Sequence, residues 1–185
     1  EDFYATYFHV KYGYYLYDND FLKAYSELLQ SLKYKSTINK NKALYILRYY
    51  DYACASFYIG KYDDVLQITN AILNHENRNV FPDVLTFTKI LQLLVWYEKK
   101  EHEILLNHYE SIRNHLKLAN FDITFEKEFI RIIYKLHAES NKKLKQKLLQ
   151  EFKRKMITLE KNYPSITMFF KTFWWIDKEL SALKI

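Results

Sequence analysis

The fold of this chain is decided by the stretch Tyr58-Ile59-Gly60-Lys61-Tyr62-Asp63-Asp64-Val65-Leu66. Its pattern returns in outline further along the chain, as Tyr97-Glu98-Lys99-Lys100-Glu101-His102-Glu103-Ile104-Leu105. On both sides of each copy, apolar residues recur at every third or fourth position, which is the spacing of one helix face. A repeat of this length, with helices on both sides, predicts helix pairs that stack on one another.

The composition agrees with a globular protein made of helices. The 185 residues are 49% apolar and 27% charged, which suits a folded domain with a buried core. Only two glycines and two prolines are present, and the tight turns of β-hairpins depend on glycine. The composition therefore favours an all-α fold and argues against a sandwich or barrel.

Apolar periodicity predicts helices near residues 3–17, 20–34, 41–58, 62–75, 83–98, 102–118, 123–138, 141–162 and 165–182. Residues that cap or break helices lie between them, among them Gly60, Pro82 and Pro164. For residues 84–95, β-favouring residue types leave a pair of strands as the alternative. The length of this apolar run, without an internal turn signal, favours a helix that is buried on most sides.

Together these helices predict a single domain over residues 1–185, an α-solenoid of about four antiparallel pairs. The pairs lie near 3–34, 41–75, 83–118 and 123–162, and a capping helix follows at 165–182. The second helices of the first three pairs begin with Phe21 and Ala24, Tyr62 and Val65, and Glu101 and Ile104, at nearly equal offsets along the chain. In the last helix, four aromatic residues at helical spacing are expected to cover the open end of the array: Phe169, Phe170, Phe173 and Trp174.

Residues 53–66 resemble the tetratricopeptide repeat. The resemblance implies that Ala53 lets paired helices approach closely, that Gly60 turns the chain and that Tyr62 packs into the hinge; Gly13 lies within one residue of the small position in the first pair. Lys99 and Glu101 depart from the pattern in the next copy. Residues 71–98 also look like the C-terminal region of long uncharacterised bacterial tetratricopeptide-like proteins. The resemblance implies a helical scaffold and brings no assigned activity.

Such scaffolds bind partners on the first helix of each pair. At the offset that separates Tyr58 from Tyr97, the stripe Tyr50, Cys54 and Phe57 corresponds to Lys89, Leu93 and Trp96. These stripes predict a groove for a protein or peptide, lined by Tyr50, Phe57, Tyr58, Lys89, Trp96 and Tyr97. The alternative is that the same rings pack between neighbouring helices.

Positive charge is concentrated near the C-terminus. Residues 141–161 hold eight lysines and arginines against two glutamates, which equals the whole net charge of +6. The spacing predicts a basic ridge of Lys143, Lys147, Arg154 and Lys161 opposite an apolar face that starts at Leu144. A polyanion or nucleic acid is therefore the alternative partner, although no nucleic-acid recognition motif accompanies the ridge and the sequence does not favour nucleic acid.

The rest of the sequence has no recognisable signal for catalysis, for a cofactor or metal, or for a membrane span. No catalytic motif and no cofactor-binding loop is recognisable in the sequence. The single cysteine and the six histidines do not form a metal-ligand cluster by their spacing. The sequence therefore predicts no enzyme, cofactor or metal. Cys54 is expected to be a small packing residue in a cytoplasmic protein, and no apolar run is long enough for a membrane span. The start at Glu1-Asp2-Phe3 suggests a piece of a longer protein, in which a spacer or homodimerisation role is a third alternative.

Overall fold

The computed structural model describes residues 2–33, 42–75, 81–118, 124–162 and 170–183. Within these ranges the regular structure is entirely helical, which confirms the all-α prediction, and residues 84–95 belong to a helix rather than to strands. The helices are α1 (Asp2–Tyr17), α2 (Phe21–Leu32), α3 (Lys42–Tyr58), α4 (Tyr62–Leu73), α5 (Pro82–Lys99), α6 (His102–Lys117), α7 (Thr124–Ala138), α8 (Lys142–Asn162) and α9 (Thr172–Ala182).

Three of the connections between helices have the same geometry. Asn19, Gly60 and Lys100 each adopt a positive φ, of 60°, 77° and 59°. In each turn the backbone N–H of the next residue donates to the carbonyl five positions earlier, as Asp20 to Tyr15, Lys61 to Ser56 and Glu101 to Trp96. This is the hydrogen bond that closes a helix with a left-handed residue. The sequence repeat is therefore a repeated turn, whose left-handed residue returns at nearly equal intervals along the chain.

The third of these turns corrects the predicted register by a single position. The left-handed residue is Lys100 rather than Lys99, so the third copy matches Tyr62 with His102 and Val65 with Leu105. Burial agrees, because Leu105 is fully buried like Val65 whereas Ile104 is 43% exposed. The sequence concealed the shift because lysine is not a residue type that marks a left-handed turn.

Contacts divide the chain into two units, residues 1–95 and 96–185, with the boundary inside α5. In the first unit α1 packs against α2, α2 against α3, and α3 against α4. A cluster of Tyr12, Ala24, Tyr25, Leu28 and Ala55 joins the first three helices.

Small residues allow α3 to be buried along much of its length. Ala53, Ala55 and Ser56 are almost completely buried, so neighbouring backbones approach closely at this point.

On α5, Gln92 is also buried, and its amide nitrogen donates to Thr69 Oγ1 at 2.9 Å and to Asn70 Oδ1 at 2.8 Å on α4. The polar interruption in the apolar run of α5 is therefore satisfied inside the first unit.

In the second unit α6 packs against α7, α7 against α8, and α8 against α9. Its core centres on Phe129 of α7, whose ring lies 5.5 Å from Trp175 and 5.8 Å from Phe152, measured between ring centroids. Phe129 and Trp175 are fully buried. Aromatic pairs at these distances stabilise a core by more than their area alone.

The last helix differs from its prediction. Residues 170 and 171 are not helical, and α9 begins at Thr172 after Lys171. Phe169 and the rest of residues 163–169 lie outside the described ranges. Trp175 and Ile176 are the fully buried apolar residues of α9, whereas Phe173 and Trp174, which were predicted to cover the array, are only partly buried.

None of the helices in the described residues is long and apolar enough to cross a membrane.

Candidate functional site

Three residues of the predicted groove lie in the core of the first unit. Tyr50, Phe57 and Tyr58 are 4%, 2% and 8% exposed. The Tyr58 ring lies 4.7 Å from Phe21, and the Phe57 ring lies 5.6 Å from Tyr62. Burial raises the pKa of the Tyr50 hydroxyl well above its usual value, and this hydroxyl shares a hydrogen bond with the Cys54 thiol. These side chains pack between helices and do not line an open groove, which corrects the prediction at all three positions.

The corrected register also changes the equivalent positions on α5. Tyr97, not Trp96, matches Phe57, since each provides the carbonyl that accepts from the left-handed residue of its turn. Ile90 and Leu94, both buried, match Tyr50 and Cys54. Lys89 and Trp96 are partly buried and lie a single position out of step with the α3 stripe. Tyr97 is thus the member of the predicted set on α5 whose position matches a member of the set on α3, namely Phe57.

Tyr97 lies at a polar cleft in the second unit. The cleft has a volume of about 310 Å³ and is lined by Tyr97, Glu98, Lys100, His102, His137, Lys145 and Glu179. The Tyr97 hydroxyl donates to Glu179 Oε2 at 3.0 Å, and Lys178 Nζ donates to Glu98 Oε1 at 2.6 Å. Burial, followed by the neighbouring Glu98, raises the pKa of Glu179. Tyr97 and Glu179 are therefore committed to each other, and Glu98 is committed to Lys178.

Two histidines that the sequence did not connect meet in this cleft. His102 Nδ1 and His137 Nε2 are 3.1 Å apart, at the start of α6 and the end of α7. Burial lowers the pKa of His137, with His102 as the next cause. A hydrogen bond between the two imidazole rings fits this separation, and either ring could be the donor. In the described part of the chain no three histidine, cysteine or acidic side chains are grouped so that they could hold a metal ion.

The predicted basic ridge lies on the surface of α8. Lys143, Lys147, Arg154 and Lys161 are all exposed. Lys147 lies at the 4.0 Å limit of an ion pair with Glu151, in which both side chains are mostly exposed, so this pair neutralises little of the charge. Leu144, predicted on the buried face, is 47% exposed, whereas Leu149, five positions further along α8, is fully buried.

Among the described residues, the most extended apolar surface lies on α1, and the sequence analysis did not identify it. Four aromatic residues and a valine, spaced by four, three, four and three positions, are between 49% and 81% exposed. This outer stripe consists of Phe3, Tyr7, Val10, Tyr14 and Tyr17. The inner face of the same helix carries Tyr12, Tyr15 and Leu16, which pack against α2. A helix that is apolar on both faces is typical of one covered on both sides.

Gly13, close to the outer stripe, does not have the role that the tetratricopeptide resemblance implies. It is exposed, and a Cβ atom built on it meets nothing within 4 Å. Tyr12, fully inside the cluster with α2, occupies the position that matches Ala53. The close approach of α1 to α2 therefore does not depend on this glycine.

No protein-family model, curated protein sequence or solved structure matches the chain. The functional assignment therefore depends on the surfaces of the molecule itself.

Proposed function

We propose that this chain is a protein-interaction scaffold made of tetratricopeptide-like helix pairs stacked as a solenoid, and that it docks an apolar helix of its partner on the outer stripe of α1. The observation that carries the proposal is the exposure of five apolar residues along one face of one helix. Contiguous exposed apolar surfaces of this kind mark interaction sites in soluble proteins.

The spacing of the stripe specifies the kind of partner. Alternating intervals of three and four residues place Phe3, Tyr7, Val10, Tyr14 and Tyr17 along one seam, and a seam with this period packs against another helix by inserting side chains between those of its neighbour. Tyrosine suits such a surface because its ring supplies contact area while its hydroxyl stays hydrated in the unbound state.

The first helices of the later pairs have another role in this proposal. Their aromatic residues hold the scaffold together, as Phe57 and Tyr58 do within the first unit. We assign the scaffold to the cytoplasm because Cys54 is the single cysteine of the chain, so no disulfide within the chain requires an oxidising compartment. Binding by such a surface needs neither a cofactor nor a catalytic group.

Site-specific photocrosslinking tests the docking surface. A photoreactive phenylalanine analogue replaces Tyr14 in one variant and Leu106, a 41% exposed residue of α6, in a matched control. We expect protein adducts from position 14 and none from position 106, and we expect Tyr7→Ser, introduced beside the probe, to remove them. Equal labelling at the two positions, or adducts that survive Tyr7→Ser, would contradict the proposal.

A second candidate function is binding of a polyanion such as a nucleic-acid backbone through the basic ridge. The specific observation in its favour is that all four ridge residues are exposed along one line, which spans roughly 27 Å at about 1.5 Å per residue. Cations arranged along a line of this length match the repeated phosphates of a nucleic-acid strand.

Binding of a short DNA duplex at several salt concentrations tests this second function. Four phosphate contacts predict a slope of about −3 to −4 for the logarithm of affinity against the logarithm of salt concentration. The variant Lys147→Glu/Arg154→Glu should lose binding, whereas Lys33→Glu/Lys117→Glu, with the same change of charge at exposed residues outside the ridge, should keep most of it. Equal loss in both variants would show that net charge alone attracts DNA.

A further inference from the structure

The outer stripe has a counterpart on α3 whose neighbours are known. Aligning the first two turns at Asn19 and Gly60 matches Val10, Tyr14 and Tyr17 with Asp51, Ala55 and Tyr58. On α3 these three positions face the preceding helix pair. Asp51 Oδ2 lies 3.8 Å from His9 Nδ1, Ala55 belongs to the cluster with Tyr12 and Ala24, and the Tyr58 ring lies 4.7 Å from Phe21.

The comparison gives the outer stripe a structural role. On α3 this face is the interface that receives a helix pair, and on α1 the equivalent face is exposed. The same face of the repeat is therefore covered by a helix pair on α3 and exposed on α1. The open interface is also more apolar, because Val10 and Tyr14 stand where α3 has Asp51 and Ala55.

Gly13 is an independent indication that a helix approaches from outside. In the middle of a helix, glycine is less stable than alanine by roughly 0.5–1 kcal/mol. Neither packing within the chain nor a positive φ accounts for it, because a Cβ at this position would meet open space and its φ is not left-handed. A glycine beside an apolar seam lets the axis of a second helix come close.

We propose that the helix docked on the outer stripe is α1 of a second copy of this chain, paired antiparallel about a two-fold axis near Val10. In this register Tyr7 of each copy lies against Gly13 of the other, and Tyr14 lies against Thr6 of the other. Tyr7 and Tyr14 thus each meet a small exposed residue, and in the same register Phe3 of each copy lies against Tyr17 of the other. A two-fold interface needs such self-complementarity, because the same patch serves both subunits.

The available area is sufficient for a stable pair. An aromatic side chain buries about 150–250 Å², so the four rings and Val10, at their exposed fractions, offer roughly 650 Å² per copy. Complete burial of these side chains in both copies would cover about 1,300 Å², which lies at the lower end of the range of about 1,200–2,000 Å² for specific interfaces. This inference rests on the proposed docking function and names its partner.

Analytical ultracentrifugation of the full chain, up to high-micromolar concentration, tests the inference. We expect a monomer–dimer equilibrium whose dissociation constant rises at least about tenfold in Tyr14→Ser and in Gly13→Gln. Gly13→Gln is the sharper variant, because glutamine favours the helix and a Cβ atom at this exposed position meets nothing within 4 Å, so the substitution should leave the fold of the monomer intact. The matched control Leu106→Ser, at an exposed leucine of α6, should leave the dissociation constant unchanged.

The possible results are distinguishable. A chain that is monomeric at every concentration overturns the pairing of two copies, even if the photocrosslinker at position 14 captures a different protein, in which case docking on α1 still stands. A dimer that persists in both α1 variants overturns the inference and removes the support for docking on the outer stripe. A dimer that Gly13→Gln and Tyr14→Ser both weaken supports the two proposals together.

Discussion

Helices α1 and α3 are both rich in aromatic residues, yet they use them in opposite ways. Tyr50, Phe57 and Tyr58 of α3 are buried, whereas Tyr7 and Tyr14 of α1 are about half exposed or more. The two helices occupy equivalent places in the repeat and end in the same turn. Aromatic content therefore does not decide whether a helix face belongs to the core or to an interaction surface. What decides it is whether a neighbouring helix pair covers that face.

The largest expected difference between the two helices is in their contribution to stability. Phe57→Ala should lower the free energy of unfolding by about 3–5 kcal/mol, because it leaves a cavity in a closely packed region. Tyr14→Ala should change it by no more than about 0.5 kcal/mol when the chain is dilute and monomeric. Urea denaturation at low protein concentration measures both. Similar losses in the two variants would remove the distinction between core and surface rings.

The two glycines sharpen the comparison. Gly60 ends α3 with a φ of 77°, so Gly60→Ala should destabilise the chain by about 1–2 kcal/mol, because an L-residue is strained there. Gly13→Ala should instead stabilise the monomer by about 0.5–1 kcal/mol through helix propensity. Thermal unfolding of the two variants, measured in parallel, should shift in opposite directions. If Gly13→Ala destabilised the monomer, a contact within the chain would have to explain Gly13.

The tyrosine hydroxyls should also differ in importance. Tyr50→Phe removes a buried hydrogen bond shared with Cys54 and should cost about 0.5–1.5 kcal/mol. Tyr7→Phe, on the exposed face of α1, should change the free energy of unfolding of the monomer by less than about 0.5 kcal/mol. Urea denaturation of the pair measures the difference, and an equal effect would mean that Tyr7 is hydrogen-bonded within the core.

The smallest expected effect is the pH dependence of the free energy of unfolding that comes from Asp51 on α3, whose equivalent on α1 is Val10. Burial raises the pKa of Asp51 to about 7, against an opposing influence of Arg48. Because the folded value is above the unfolded value of about 3.9, the contribution of Asp51 to stability is present below about pH 4 and is lost as the pH rises through 7. The side chain is 30% exposed and faces His9, so the effect is limited.

Unfolding free energies between pH 4 and 8 test this prediction. Across this range the unchanged chain should lose stability relative to Asp51→Asn, since asparagine does not ionise. The same comparison on α1, with Val10→Asn, should leave the pH dependence unchanged because Val10 does not titrate. Parallel curves for the chain and Asp51→Asn would show that Asp51 keeps an ordinary pKa in the folded state.

The sequence predicted the helices well because the signals are local. Gly60 and Pro82 lie at the end of α3 and the start of α5 as expected, since the backbone preferences of these residues act within a few positions. The start of α9 was predicted too early, at residue 165. The Pro164 signal did not indicate that residues 170 and 171 would be non-helical, because Phe169, Phe170, Phe173 and Trp174 continue a helical spacing across them.

The candidate site was less predictable than the helices. A shift of a single position at Lys100 moved the α5 stripe from Lys89 and Trp96 to Ile90 and Tyr97. The pairing of His102 with His137 joins residues 35 positions apart on different helices, for which no periodic pattern exists. The outer stripe had a visible spacing, but the same spacing in α3 belongs to the core, so the pattern alone did not distinguish the two.

The sequence by itself determined that this chain is helical, where most of its helices begin and end, and that one helix carries a basic ridge, because these properties follow from residues close together along the chain. Only the tertiary structure decided which aromatic faces are buried and which polar groups meet. Burial depends on neighbours that lie far away along the chain, and an apolar stripe has the same local appearance whether or not another helix covers it.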